Sequence, residues 1–467
     1  MRRFRKPAAS IGATPERVAA LSALEDFRRD GTLIKVAIER HTKDAPTEVV
    51  NGALKIALGV VATYGVLDEE IDTHLKSGAD VEPKVRDALR IGAYQLLITR
   101  QQPHAAVNEA VELTRSVRPK AARLANAVLR RISERVESFP TSESAESFEE
   151  LTRANGFPAA LGERIRSGIG EERARDLITS VLERAPVYIN TLPSGSSDAV
   201  AASILRSDGL EPEPAGAVPQ AFLIGNPAAI PTAESIAHDR ALVTDLSAQT
   251  VAALVAPAPG ESLLEVGSGR GTKTILMQSF VRRMGGLAWI HALDLFQFKS
   301  RIARTRVSST GLEGVHAYTG DGTRLDEVTD LPEMFDTIFI DAPCSGTGTL
   351  RRHPELIWST TPEKIQSLVK LSGDLLASAA PRIVQGVTLA FSTCSILPEE
   401  NARVIDTFLA SEAGKDFAIQ PIDHRIRYSS EFDEAIRANL DERGMWQTYP
   451  SSGSADGHFL ALLARSR

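Results

Sequence analysis

The chain holds only two cysteines, Cys344 and Cys394, in 467 residues. That is too few for a disulfide framework or a four-thiolate zinc site. It has no run approaching 18 consecutive apolar residues, which leaves nothing long enough for a transmembrane helix. The start, Met1-Arg2-Arg3-Phe4-Arg5-Lys6-Pro7, is basic but is followed by no apolar stretch, so it reads neither as a secretory signal nor as an anchor. These absences predict a cytoplasmic protein with no metal and no membrane partner.

Its length points instead to two or three domains, and 43% hydrophobic with 24% charged residues is a globular composition. The net charge of −7 argues at first against a nucleic-acid partner. Its distribution does not: the net charge is +5 over residues 1–140, −7 over 141–240 and −5 over 241–467. Between Leu113 and Ser133 stand Arg115, Arg118, Lys120, Arg123, Arg130 and Arg131, with no acidic residue among them. Clustered cations are what phosphate contact requires, although a solvated helix face can carry the same run.

Residues 1–140 read as helix. Apolar positions recur at helical spacing in Val18-Leu21-Leu24-Phe27, Ala53-Ile56-Ala57-Val60-Val61 and Val85-Leu89-Ala93-Leu96-Leu97. Thr14-Pro15-Glu16 suits a helix start. The segments Arg90–Leu97, Pro103–Glu112 and Ala125–Ile132 resemble the NusB-type RNA-binding helical domain. A polar linker at 139–147 follows. Residues 145–240 then read as a small α+β module, with helices over 148–183, strands near Tyr188 and Ala221–Ile224, and a helix over 197–207.

From 241 to 467 apolar runs alternate with helical segments. The runs are Ser262–Val266, Ala288–Leu293, Val315–Tyr318, Thr337–Ile340, Val387–Phe391 and Phe459–Leu463. This predicts a doubly wound, Rossmann-like α/β domain on a parallel sheet, with ligands beyond the strand ends. After the first run comes Glu265-Val266-Gly267-Ser268-Gly269-Arg270-Gly271-Thr272-Lys273, a glycine turn that lets backbone approach a ligand closely. A dinucleotide site shares that pattern. Asp294 ends the second run, where a carboxylate can accept ribose hydroxyls. Asp321 lies in Gly320-Asp321-Gly322-Thr323, where it can receive an adenine amino group. Each acid alone can be a helix or turn cap. Three acids at successive strand ends repel phosphates and favour a neutral or cationic adenosine ligand, S-adenosylmethionine over NAD or ATP.

Both cysteines fall at the ends of the next two runs, in Asp341-Ala342-Pro343-Cys344-Ser345-Gly346-Thr347-Gly348 and Phe391-Ser392-Thr393-Cys394-Ser395-Ile396-Leu397-Pro398-Glu399-Glu400-Asn401. A cysteine singly is often a small buried hydrophobe. Two at adjacent strand ends, neither within an apolar run, suit covalent catalysis. A thiolate added to carbon 6 of cytosine turns an unreactive ring into an enamine that attacks a methyl donor through carbon 5. Asp341, protonated or sharing a proton, can hydrogen-bond ring nitrogen 3.

Residues 341–355 and 391–401 closely resemble the Pro-Cys and Thr-Cys motifs of the RNA 5-methylcytosine methyltransferases. With the NusB-like front end, the chain resembles the Fmu/Sun (RsmB-type) 16S rRNA cytosine methyltransferases. The likeness extends to Thr244–Gln249 and Asp456–Ala461. The resemblance implies Cys394 as nucleophile and Cys344 as the thiol that assists product release. S-adenosylmethionine is expected at Glu265, Gly267, Ser268, Gly269, Arg270, Gly271, Lys273, Asp294, Asp321 and Asp341. The partner expected is RNA, 16S rRNA or a small-subunit assembly intermediate, bound by a monomer, with Arg351 and Arg352 as phosphate contacts. Two features depart from the family pattern. The glycine loop replaces Asp-x-Cys-Ala-Ala-Pro-Gly-Gly-Lys-Thr, keeping the acid and Lys273 in register, and His458 stands where an aromatic residue is usual. A tRNA substrate, and an assembly factor that kept the fold and lost catalysis, are the alternative readings.

Overall fold

The computed structural model describes residues 13–75, 80–422 and 429–465; the basic start at 1–7 lies outside them. By contacts the chain forms two compact units, Met1–Glu183 with Leu350–Ser359, and Arg184–Thr349 with Thr360–Arg467.

The first unit is helical. Its helices Pro15–Asp30, Thr47–Ala62, Pro83–Leu97, Pro103–Val117 and Ala122–Ser133 bury one apolar stripe each in a shared core. Three of these open on proline, whose missing N–H costs nothing at a helix start. The first ends at Gly31 in the left-handed region, φ 71°. Beyond the linker, Ser147 and Glu150 form a capping box on helix Phe148–Ala154. No single helix among the described residues is long and apolar enough to cross a membrane. The one bent pair that passes that test jointly, Thr47–Ala62 with Tyr64–Thr73, contributes Ala53, Ile56, Val60, Val61, Leu67 and Ile71 to this core.

The second unit holds two sheets. The strands β1 (Tyr188–Asn190), β2 (Pro212–Pro214), β3 (Ala221–Ile224) and β4 (Leu242–Val243) pair antiparallel in the order β2-β3-β1-β4. The larger sheet uses β5 (Ser262–Val266), β6 (Trp289–Asp294), β7 (Val315–Thr319), β8 (Phe335–Asp341), β9 (Ile383–Thr393), β10 (Phe417–Gln420), β11 (Trp446–Gln447) and β12 (Phe459–Arg465). Its order is β10-β12-β9-β8-β5-β6-β7, with β11 beside β12. Each of the six apolar runs lies within or overlaps a strand of this sheet.

The sheet is mixed rather than parallel throughout. β7, β6, β5, β8 and β9 are parallel, whereas β12 runs antiparallel to both β9 and β10. After β9 the chain crosses through helix Ala402–Leu409 to β10, and then passes helix Ser430–Arg437 and β11 before β12, so the last run enters from the opposite end. Strand order reverses between β5 and β8, which makes the ends of these two strands the switch-point crevice of the sheet.

Candidate active site

The glycine turn leaves β5 and feeds helix Thr272–Arg283. Gly267 has φ +88°, and a Cβ there would lie 2.4 Å from the Asp341 carbonyl oxygen, so no larger residue fits between the two strand ends. Gly271, φ +79°, lies against Ala303 in the same way. The Gly269 amide donates to Asp294 Oδ2 at 3.0 Å, and the Phe296 amide donates to Oδ1 at 2.9 Å. Each carboxylate oxygen of Asp294 so keeps a lone pair for another donor.

Glu265 is fully buried on β5. Its Oε2 accepts from the Thr274 hydroxyl, while Oε1 and the buried Ser268 Oγ have no partner among the described residues. Burial pushes the Glu265 carboxyl up to about 7; the Thr274 bond opposes this, and the nearby Asp341 and Asp294 charges add to it. Two orphaned polar atoms beside a tight glycine turn are what a ligand with its own donors would satisfy, so these residues fit an S-adenosylmethionine-type group. Asp321 is exposed and accepts from the Thr323 amide (2.9 Å) and hydroxyl (2.8 Å), bonds that hold its carboxyl below the usual range. Arg270 offers its carbonyl to Arg306 at 3.0 Å.

Asp341, the last residue of β8, accepts from Lys273 Nζ at 2.8 Å. Burial works against the Lys273 charge, but Asp341 and, more weakly, Cys394 and Glu265 outweigh it and hold the ammonium above its usual range. The two thiols meet beyond it: Cys344 Sγ and Cys394 Sγ are 3.4 Å apart, both half-buried. The contact with Cys394, burial, and the charges of Cys394 and Glu400 push the Cys344 thiol well up.

A polar lattice that sequence reading assigned no role ties the two cysteine loops together. Glu400 accepts from the Ser345 amide (2.7 Å), the Ser345 hydroxyl (2.5 Å) and the Ser395 hydroxyl (2.6 Å). Thr347 Oγ1 lies 3.0 Å from Ser395 Oγ and accepts from the Ile396 amide at 3.2 Å. Asn401 receives the Thr393 hydroxyl at 2.5 Å and donates to the Ser395 carbonyl at 2.8 Å. The only hint in the sequence is that hydroxyl residues flank both cysteines.

The cationic window lies in the helical unit. Helix Ala122–Ser133 buries Ala122, Ala125, Val128, Leu129 and Ile132 and turns Arg123, Arg130 and Arg131 outward. Arg115 pairs with Glu112, and Arg118 with Glu82 at 2.7 Å. Lys120, Arg123, Arg130 and Arg131 are exposed and make no ion pair among the described residues. Arg351 is buried and Arg352 half-buried, both within Leu350–Ser359 of the helical unit. His458 is buried just before β12, its backbone bonded to Thr448.

Residues 252–464 match the family described as 16S rRNA methyltransferase RsmB/F, and residues 14–134 match the NusB family. The ribosomal RNA small subunit methyltransferase B of Salmonella arizonae is 30% identical over 357 residues, 76% of this chain and 80% of that protein. The crystal structure of PH0851 superimposes with a TM-score of 0.76 at 22% identity, covering 98% of this chain and 100% of that one. The structure of NSun6 from Pyrococcus horikoshii gives a TM-score of 0.56 at 15% identity, covering 67% and 99%. These two structural likenesses are likenesses of fold.

Proposed function

Because this chain belongs to the RsmB/F family of 16S rRNA methyltransferases, and is therefore an S-adenosylmethionine-dependent RNA methyltransferase, we propose that it methylates carbon 5 of a 16S rRNA cytosine through a covalent cysteine–cytosine adduct. The observation that carries this reading is the pair of thiols 3.4 Å apart at the ends of adjacent parallel strands β8 and β9. Neither a dinucleotide site nor a small-molecule methyltransferase needs two facing thiols.

In this reading Cys394 adds to carbon 6 of the cytosine, and the ring becomes nucleophilic at carbon 5. Lys273 lies within electrostatic reach of Cys394. Asp341, held in place by the Lys273 ammonium, is the residue offered to the edge of the ring at nitrogen 3, where it donates only when a proton has come to it with the base. S-adenosylmethionine, when bound, supplies an electrophilic methyl group. Glu265, Ser268, Gly267, Gly269, Arg270, Gly271, Asp294 and Asp321 would hold it. Water takes the carbon 5 proton, the electron pair of that bond reforms the 5,6 double bond as Cys394 leaves as a thiolate, and Cys344 assists that departure. A base inside a helix is out of reach of both thiols, so the target cytosine is unpaired or flipped out. The cations at 115–131 take RNA phosphates, and the protein acts as a cytoplasmic monomer.

Bisulfite sequencing of rRNA and tRNA from cells with and without the gene tests the reaction and the substrate together. One 16S rRNA cytosine should lose protection; no change in either pool overturns the reading. Cys394→Ala should abolish methyl transfer while RNA binding persists. Cys344→Ala should accumulate a slow-migrating protein–RNA adduct on a denaturing gel, and absence of that band removes Cys344 from product release.

A further inference from the structure

Each thiol is followed immediately by a serine, and both serines end on one carboxylate. Glu400 is 2% exposed, and all three of its bonds come from N–H or O–H donors, at 2.5–2.7 Å. Ser345 gives two of them from the loop after β8, and Ser395 gives one from the loop after β9. Nothing else among the described residues bonds to both serines except Thr347, which belongs to the first loop itself. Backbone bonds complete the brace: the Gly348 amide donates to the Cys394 carbonyl at 2.9 Å. A Cβ on Gly348 would come within 2.7 Å of that same oxygen.

We propose that Glu400 is a positioning residue that sets the separation and orientation of Cys344 and Cys394 by clamping the residue after each thiol to one buried carboxylate. Burying a carboxylate is costly, and burial holds the Glu400 carboxyl above its usual range; the three short bonds oppose that cost only while both loops stay in place. The carboxylate therefore resists separation of the loops, where a neutral group would let them drift. A buried ionic group of this kind sharpens geometry more than it adds stability. The consequence for catalysis rests on the two-thiol reading above; the clamp on the thiol separation does not.

The test is the full-length Glu400→Gln protein, with Ser345→Ala and Ser395→Ala as milder variants that each remove donors from one loop and leave the carboxylate in place. The amide keeps the shape of the side chain but turns one oxygen into a donor that faces serine hydroxyls. Thiol separation is read without RNA, by the rate at which diamide converts the two thiols into a disulfide, itself taking up the two hydrogens. Wild type should cross-link rapidly and Glu400→Gln about tenfold more slowly, since near-contact reactions fall steeply with misplacement of about 1 Å. Each serine variant should fall between. Turnover on RNA should drop by roughly 30–100-fold with both KM values within about twofold, because binding groups are untouched. Cross-linking at the wild-type rate in all three variants overturns the clamp, whatever happens to turnover. Slower cross-linking in a protein whose wild type transfers no methyl group upholds the clamp and overturns the cytosine reading instead.

Discussion

Glu265 has no exposed surface, one hydroxyl donor and two acidic neighbours, so the fold favours its protonated form, with a carboxyl at about 7 against 4.5 in an unfolded chain. The sign follows from linkage. The folded state binds the extra proton between these values, so the contribution to stability is fully present below about pH 4.5 and lost as the pH rises through about 7. The full span is on the order of 3 kcal/mol. Glu265→Gln should flatten the loss of melting temperature between pH 5 and pH 8 in the ligand-free protein; parallel curves for both proteins would show that the group does not titrate this way. A cationic ligand favours the ionised form, so S-adenosylmethionine should bind wild type more tightly as pH passes 7, a dependence the Gln variant should lack. At Gly267 the expected change is steric. Gly267→Ala places a methyl 2.4 Å from the Asp341 carbonyl at a left-handed φ, and strain of about 1–3 kcal/mol should appear as a lower denaturation midpoint together with weakened ligand binding. The acids and glycines at these strand ends were legible because they interrupt apolar runs. Glu400 was not, because a carboxylate two residues past a proline reads as surface until its serine partners are known in space.

Helix Ala122–Ser133 shows the same contrast one level up. Its apolar spacing fixes which face is buried, and the cations fall on the other by elimination. Whether exposed cations meet phosphate is a matter of counterion release. Replacing Lys120, Arg123, Arg130 and Arg131 together by alanine should weaken RNA binding and reduce the slope of log K against log salt by about 3, near 0.7–0.9 for each phosphate no longer neutralised. An unchanged slope would leave them a solvated face. For strands, legibility tracked burial except at β7, which is not buried but reads as the run Val315–Tyr318. β5, β6 and β8, buried on both faces over most of their length, read as continuous apolar runs. β10 and β11 did not, being 4 and 2 residues long and only partly buried. With them went the antiparallel sense of β12: strand direction depends on the path between strands, and periodicity carries no record of that path.

A contiguous reading of domains meets its limit at the ten residues Leu350–Ser359, which belong to the helical unit although they interrupt the other one. They follow the Pro-Cys motif so closely that sequence assigns them to the catalytic region, and no local pattern says otherwise. Within the helical unit Trp358 is one of the contacts that hold them. Its Nε1 donates to the Val61 carbonyl at 2.5 Å, at the end of helix Thr47–Ala62 that the Thr63 amide also caps. Its ring lies 6.2 Å from that of Tyr64, which itself lies under the Arg90 guanidinium at 4.4 Å. The fit leaves no spare room, since a Cβ on Gly65 would approach the indole to 2.9 Å. Loss of a large, partly buried ring should therefore cost the helical unit roughly 2–4 kcal/mol, somewhat under the about 3–5 kcal/mol of buried aromatic truncations. Trp358→Phe keeps most of the packing and removes the donor, for about 1 kcal/mol. Hydrogen exchange in the full chain separates this from general damage. In Trp358→Ala, amides of Thr47–Ala62 and Tyr64–Thr73 should exchange faster, while β5 and β8 keep their protection. If the two helices exchange at the wild-type rate, the segment does not stabilise the unit it is counted with. If β5 and β8 lose protection equally, the effect is global, and the helical unit does not extend across the break in the chain.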